Sequence, residues 1–243
     1  MAADNGQLNA LTLPPKATHS ATVFFVHGLG DTGYGWKPVA DLLRNDPGLD
    51  HVKWILPHSP KRQVQANMGI EMPSFDIYSF GFETDEDETG MLQSARLIDE
   101  LIAEEVKSGM DPTRIVLGGF SQGAAMSLLT GLTGDRRLAG VVALSGWLPL
   151  KHKFKTLTSK HAPSIPVFWG HGKIDPLVKM QHVETSAENL VKELGMPKAS
   201  SPTEAKGLSW NLYDNVGHAT CTEELDQMKE WIKNAIPALP PTT

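Results

Sequence analysis

Strand-type and helix-type segments alternate along nearly the whole chain, and this order restricts the fold more than any other property of the sequence. The runs "ATVFFVHG", "VKWILP", "TRIVLGGF", "LAGVVALSGW", "SIPVFWGHG" and "LSWNLYDN" are short and rich in β-branched, aliphatic and aromatic residues, which predicts strands. Between and after them, "GWKPVADLLRND", residues 89–107, "SQGAAMSLLTGL", "MQHVETSAENLVKELG" and "CTEELDQMKEWIKNAI" predict helices. In the helix over 89–107, Leu92, Ala95, Ile98, Ile102 and Val106 recur at helical steps and form one apolar face. Alternation of this kind joins strands in parallel through crossover helices. It predicts an α/β fold with a mostly parallel sheet, helices on both faces and ligands at the carboxyl ends of the strands. The 243 residues, 40% of them hydrophobic, suit a single large domain with a sizeable core. No repeat or composition break divides it, so the domain is expected over 21–237, with tails at 1–20 and 238–243 where "LPP" and "ALPPTT" stand.

One strand-to-helix corner carries a chemical group. In "GGFSQGAAMSLL", Ser121 falls between Gly119 and Gly123 just where the strand pattern gives way to the helix pattern. A corner that tight strains the serine backbone and brings neighbouring backbones so close that side chains at 119 and 123 would collide. The hydroxyl is then raised at the N-terminal end of a helix, where N–H groups and the helix dipole stabilise developing negative charge. This is the G-x-S-x-G nucleophile elbow, and its strand-before, helix-after setting separates it from a chance match.

A serine hydroxyl is a weak nucleophile near neutral pH, so it needs a base within hydrogen-bond reach and an acid to orient that base. The order expected with such an elbow is Ser, then Asp or Glu, then His. Of nine histidines, His152, His161, His171, His182 and His218 follow the serine. His182 falls inside a predicted helix, and His152 and His161 in a Lys-rich polar loop. His218 follows the last strand directly in "YDNVGHAT", with Gly217 beside it to free the turn. For the acid, "VFWGHGKIDPLV" puts Asp175 on the loop after the preceding strand. Asp135 reads as a helix-end turn residue, and Asp214 stands too near His218 on the same strand for the chain to fold back. His171 precedes Asp175 on one loop and breaks the order, so support of that loop is its expected role. The oxyanion needs two N–H donors: Gln122, after the nucleophile, and Leu29 in "VFFVHGLGDTG", where His27, Gly28 and Gly30 let the backbone approach the serine.

The connection from Pro57 to Thr89 exceeds an ordinary loop, at about thirty residues. Met68, Ile70, Met72, Phe75, Ile77, Tyr78, Phe80 and Phe82 make it too apolar for disorder, which leaves a satellite of the core or an apolar lip over the active site. The acidic run "ETDEDE" reads as a solvated loop and helix start. A net charge of −6, a pI near 5.8 and no Lys/Arg cluster argue against nucleic-acid binding. Cys221 is the only cysteine, so there is no intramolecular disulfide and no thiolate zinc site, and no metal or cofactor is expected. It sits near His218 but at a helix start without a glycine elbow, which disfavours a Cys–His pair. No signal peptide and no membrane-spanning run stand in the sequence, which predicts the cytoplasm, and with it the nucleus, as the compartment.

Taken together, "HGLGDTG", "GGFSQGAA", "LSGWLP", "HGKIDPLV" and "GHATCTEEL" resemble, in order and spacing, the acyl-protein thioesterase/lysophospholipase family of serine esterases with the α/β-hydrolase fold. The resemblance runs from about Val23 to Ile236. It implies a single-domain α/β-hydrolase without a large cap, and hydrolysis of long-chain acyl thioesters on S-acylated (palmitoylated), membrane-associated proteins such as G-protein alpha subunits. Activity on lysophospholipids and transient contact with a membrane surface are implied too; oligomeric state is not. Residue by residue, it matches Ser121, Asp175 and His218 as the triad and the Leu29 and Gln122 N–H groups as the oxyanion hole. It also assigns the acyl chain to Met68, Ile70, Met72, Phe75, Phe80, Trp147 and Leu177. Two departures stand out: "MPSFDIY" is one aromatic short of the family's Trp-Phe-Asp, and "SQGAA" lacks a frequent third glycine.

Overall fold

The computed structural model describes residues 8–58 and 86–240, together with the backbone of two short strands at 61–63 and 71–73. Its centre is a seven-stranded sheet. The strands are β1 (Ala10–Leu13), β2 (Ala21–Val26), β3 (Val52–Pro57), β6 (Ile115–Phe120), β7 (Gly140–Leu144), β8 (Val167–Gly172) and β9 (Leu208–Tyr213). The spatial order is β1-β3-β2-β6-β7-β8-β9, parallel throughout except for β1, which runs antiparallel to β3. The strands β4 (Lys61–Gln63) and β5 (Glu71–Pro73) pair antiparallel in a separate ribbon.

Alternation along each strand divides the core in two. Phe24, Leu117, Val141, Ala143 and Trp169 point to one face, where α2 (Glu88–Lys107), α3 (Gln122–Thr133) and α5 (Met180–Leu194) cover them. Val23, Phe25, Val116, Val142 and Phe168 point to the other, against α1 (Gly33–Leu43) and α6 (Thr222–Ala235). Because both faces are covered, the central strands are buried at nearly every position and carry apolar or glycine residues throughout, Thr22 of β2 excepted. The short helix α4 (Phe154–Leu157) adds the buried Phe154 to the first core.

Three expectations are corrected. The segment read as a tail over 1–20 contributes β1, whose Leu11 and Leu13 lie opposite Leu56 and Trp54 and cover the edge of β3. In α2 the buried stripe is Met91, Ala95, Ile98 and Ile102, while Leu92 is 39% exposed and Val106 only partly buried. The helix is rotated so that Glu105 is also buried, where it accepts hydrogen bonds from Thr22 Oγ1 at 2.7 Å and Lys53 Nζ at 2.6 Å. The charged pair and the strand hydroxyl offset the cost of burying that carboxylate. The turn before His218 takes its left-handed residue at Asn215 (φ 58°), not at Gly217. The acidic run ends in the N-cap of α2, where Asp87 accepts from the Gly90 N–H at 2.9 Å. Among the described residues no helix is long and apolar enough to cross a membrane.

Candidate active site

The sheet reverses its winding between β2 and β6: from β2 the chain moves to β3 on one side, and from β6 it moves to β7 on the other. Crevices of parallel sheets open at such switch points, outside the carboxyl ends of the strands. Ser121 stands there. It occupies the corner between β6 and α3 with φ 54° and ψ −118°, a left-handed backbone that a serine adopts only when its surroundings force it. The glycine pattern explains how. A Cβ on Gly119 would lie 2.4 Å from the Gly123 carbonyl, and one on Gly123 would lie 2.2 Å from the Val26 oxygen. The Ser121 N–H donates to Leu144 O at 2.8 Å, which ties the corner to β7.

The other two groups arrive on the loops after β8 and β9. His218 Nε2 lies 2.8 Å from Ser121 Oγ, and its Nδ1 lies 2.7 Å from Asp175 Oδ2. The second oxygen, Oδ1, accepts from the N–H groups of Leu177 at 2.8 Å and Val178 at 2.9 Å. Burial of Asp175 pushes its carboxyl upward. The His218 hydrogen bond and the Val178 and Leu177 N–H groups outweigh that effect, and the net value lies below the ordinary aspartate range. The two loops are bound to each other by main-chain bonds, Lys173 N–H to Tyr213 O at 2.9 Å and Ile174 N–H to Val216 O at 3.1 Å. Gly172 makes this approach feasible, since a Cβ there would lie 2.2 Å from Val216 O.

His171 is fully buried and lies farther from the carboxylate, with Nε2 at 3.8 Å from Asp175 Oδ2 and 2.9 Å from Val178 O. Burial lowers its pKa, so the ring is neutral and donates to the Val178 carbonyl across the turn. Of the other candidates, Asp135 is exposed, Asp214 pairs at the surface with Lys173 at 2.7 Å, His152 is exposed, and His161 and His182 are partly so.

The loop after β2 lies against the serine. A Cβ on Gly28 would sit 3.5 Å from Ser121 Cβ, and Gly30 takes a positive φ of 80°. Leu29 between them is half-buried, and Gln122 opens α3 with only 1% exposure. Trp147 is buried in the core cluster on the α3 face, and Leu177 is 42% exposed beside Asp175. Met72 falls in β5; its side chain, and Met68, Ile70, Phe75 and Phe80, lie outside the described residues.

One contact escaped the sequence reading. The ring of Phe120 packs on the imidazole of His218, centroids 4.9 Å apart and planes tilted by 49°. The only sequence signal was an aromatic residue placed directly before the serine.

A mostly parallel sheet, a serine elbow at the switch point and a carboxylate–imidazole pair on the last two strand loops define an α/β-hydrolase. More narrowly, the chain belongs to the phospholipase/carboxylesterase family, whose sequence profile matches residues 9–236. It is 46% identical over 235 residues to acyl-protein thioesterase 1 of Cryptococcus neoformans, covering 94% of this chain and 98% of that one. It is 40% identical over 241 residues to acyl-protein thioesterase 1 of Gibberella zeae, covering 96% and 98%. The crystal structure of Zea mays acyl-protein thioesterase 2 superposes with a TM-score of 0.76 at 29% identity, over 94% of this chain and 99% of that one.

Proposed function

We propose that this enzyme is a serine hydrolase that removes long-chain fatty acyl groups from S-acylated protein cysteines through an acyl-enzyme intermediate. The observation that carries the chemistry is the continuous hydrogen-bonded chain from Asp175 through His218 to Ser121 Oγ. The substrate class rests on the relatives named acyl-protein thioesterase.

In this reading the Ser121 Oγ attacks the thioester carbonyl carbon while its proton passes to His218 Nε2. Asp175 holds the imidazole with Nδ1–H inward and stabilises the imidazolium. The N–H groups of Gln122 and Leu29 donate to the oxyanion. Collapse of the tetrahedral adduct breaks the C–S bond, and the cysteine sulfur takes the proton from His218. A water molecule then repeats the sequence on the acyl-serine and releases the fatty acid.

The acyl chain is assigned to the apolar segment carrying Met68, Ile70, Met72, Phe75 and Phe80, together with Trp147 and Leu177. Each methylene moved out of water contributes up to about 0.8 kcal/mol, so sixteen-carbon chains gain far more from such a wall than four-carbon ones. Replacing Met72 and Phe75 with Ser is expected to depress turnover of palmitoyl thioesters while sparing p-nitrophenyl butyrate. The second reading, a carboxylesterase or lysophospholipase, is favoured by the family description itself. Turnover on a palmitoylated protein against lysophosphatidylcholine separates the two. A protein that hydrolyses only the lipid overturns the thioesterase reading. Such substrates sit at membranes, so transient contact with a lipid surface belongs to this proposal.

A further inference from the structure

We propose that Phe120 is a positioning residue for the second half of the reaction, holding the His218 imidazole in plane once Ser121 carries the acyl group. The inference rests on Ser121, His218 and Asp175 acting as the triad.

Two hydrogen bonds through opposite sides of an imidazole fix a line and leave the ring free to roll about it. In the free enzyme those bonds run to Asp175 Oδ2 and Ser121 Oγ. The third contact is the Phe120 ring at 4.9 Å. That ring is itself anchored: Trp36 lies 5.5 Å behind it, and Phe25 lies 4.4 Å from Trp36. The ladder therefore runs from β2 through α1 to the last residue of β6 and ends on the base. Gly28 opens the space, because a Cβ there would come 3.2 Å from Phe120 Cδ1. Phe120 is the one residue of β6 that is not fully buried, as expected of a side chain that faces the crevice.

The contact gains importance when the serine is esterified. Ser121 Oγ then has no proton to donate, so among the described residues His218 keeps the Asp175 bond and the Phe120 face. In deacylation, water gives one proton to His218 Nε2 as its oxygen bonds to the acyl carbon. The adduct then breaks the C–Oγ bond, and the imidazolium returns the proton to Oγ, leaving fatty acid and free enzyme. A ring that rolls away from the incoming water slows this step more than acylation, where the Ser121 bond still aligns it.

The test is pre-steady-state hydrolysis of p-nitrophenyl butyrate by the full chain. Phe120→Leu keeps apolar bulk but loses the flat ring. Its kcat is expected to fall about tenfold while the rate of labelling by a fluorophosphonate changes less than about twofold. The p-nitrophenolate burst is expected to rise towards one equivalent per active site, and Phe120→Tyr should restore kcat. Phe120→Met serves the same comparison if the leucine variant does not fold. The proposal is overturned if kcat stays within about twofold of wild type, or if kcat, labelling rate and melting temperature all fall together. Retained turnover in Ser121→Ala or His218→Ala would instead overturn the triad beneath it, a distinct outcome.

Discussion

Gly123 sits against the main-chain oxygen of Val26, so close that a Cβ on it would lie 2.2 Å from that atom. Neither partner can yield: one is the first turn of α3, the other the end of a central strand. Gly123→Ala should therefore displace the elbow, abolish labelling of Ser121 and destabilise the protein by about 1–3 kcal/mol in urea denaturation. Gly217→Ala is the control. A Cβ there meets nothing within 4 Å among the described residues and the backbone is not left-handed, so activity and stability are expected to persist.

Asp175 and His171 separate orientation from support. Asp175→Asn keeps an oxygen for the Leu177 and Val178 N–H groups but presents the wrong hydrogen-bonding pattern to His218 Nδ1. Its kcat should fall by about 10⁴ with the fold intact by circular dichroism. His171→Ala removes the buried bond to Val178 O, so its melting temperature should drop while most of kcat survives below that temperature. A dead but stable His171→Ala would reverse the assignment of the base.

Glu224 makes stability depend on pH. It is fully buried, both carboxylate oxygens lack hydrogen-bond partners among the described residues, and a Cβ on Gly170 would come 2.1 Å from Oε1. Burial pushes its pKa from 4.5 to about 8, the Cys221 main chain opposing only in part. The folded chain thus holds a proton that the unfolded chain releases. Stability should fall as pH rises from about 4.5 to about 8, by up to about 1.4 kcal/mol per pH unit, and level off above. Denaturation of Glu224→Gln across pH 5 to 9 should lose that slope; an unchanged slope would assign the effect elsewhere.

Cys221 serves as the N-cap of α6, its Sγ 3.5 Å from the Glu224 N–H. Cys221→Ser supplies a better cap, so melting temperature should hold or rise and kcat should stay near wild type. Inactivation by this substitution would give the thiol a chemical role.

The alternation of "ATVFFVHG" and its counterparts with amphipathic helices was enough to derive the parallel sheet, because strands buried on both faces are apolar at nearly every position. Ser121, Asp175 and His218 were legible from their places after strands and their chain order. What sequence concealed was set by tertiary contacts. Ala10–Leu13 is too short to announce itself as a strand until β3 offers an edge. Met91 replaces Leu92 in the core because the rotation of α2 is fixed by its neighbours, not by its own periodicity. Glu105 and Glu224 look like surface residues of charged helices, and only the packing of α2 and α6 buries them. Asn215 rather than Gly217 takes the left-handed turn, a choice that two flexible residue types on either side of Val216 leave open.

The main-chain bonds from Lys173 to Tyr213 and from Ile174 to Val216 make the acid-bearing and base-bearing turns one mechanical part. An insertion in either turn would drag the other with it, so the two cannot be lengthened or exchanged separately. Chimeras between relatives should thus function only when both turns come from the same parent.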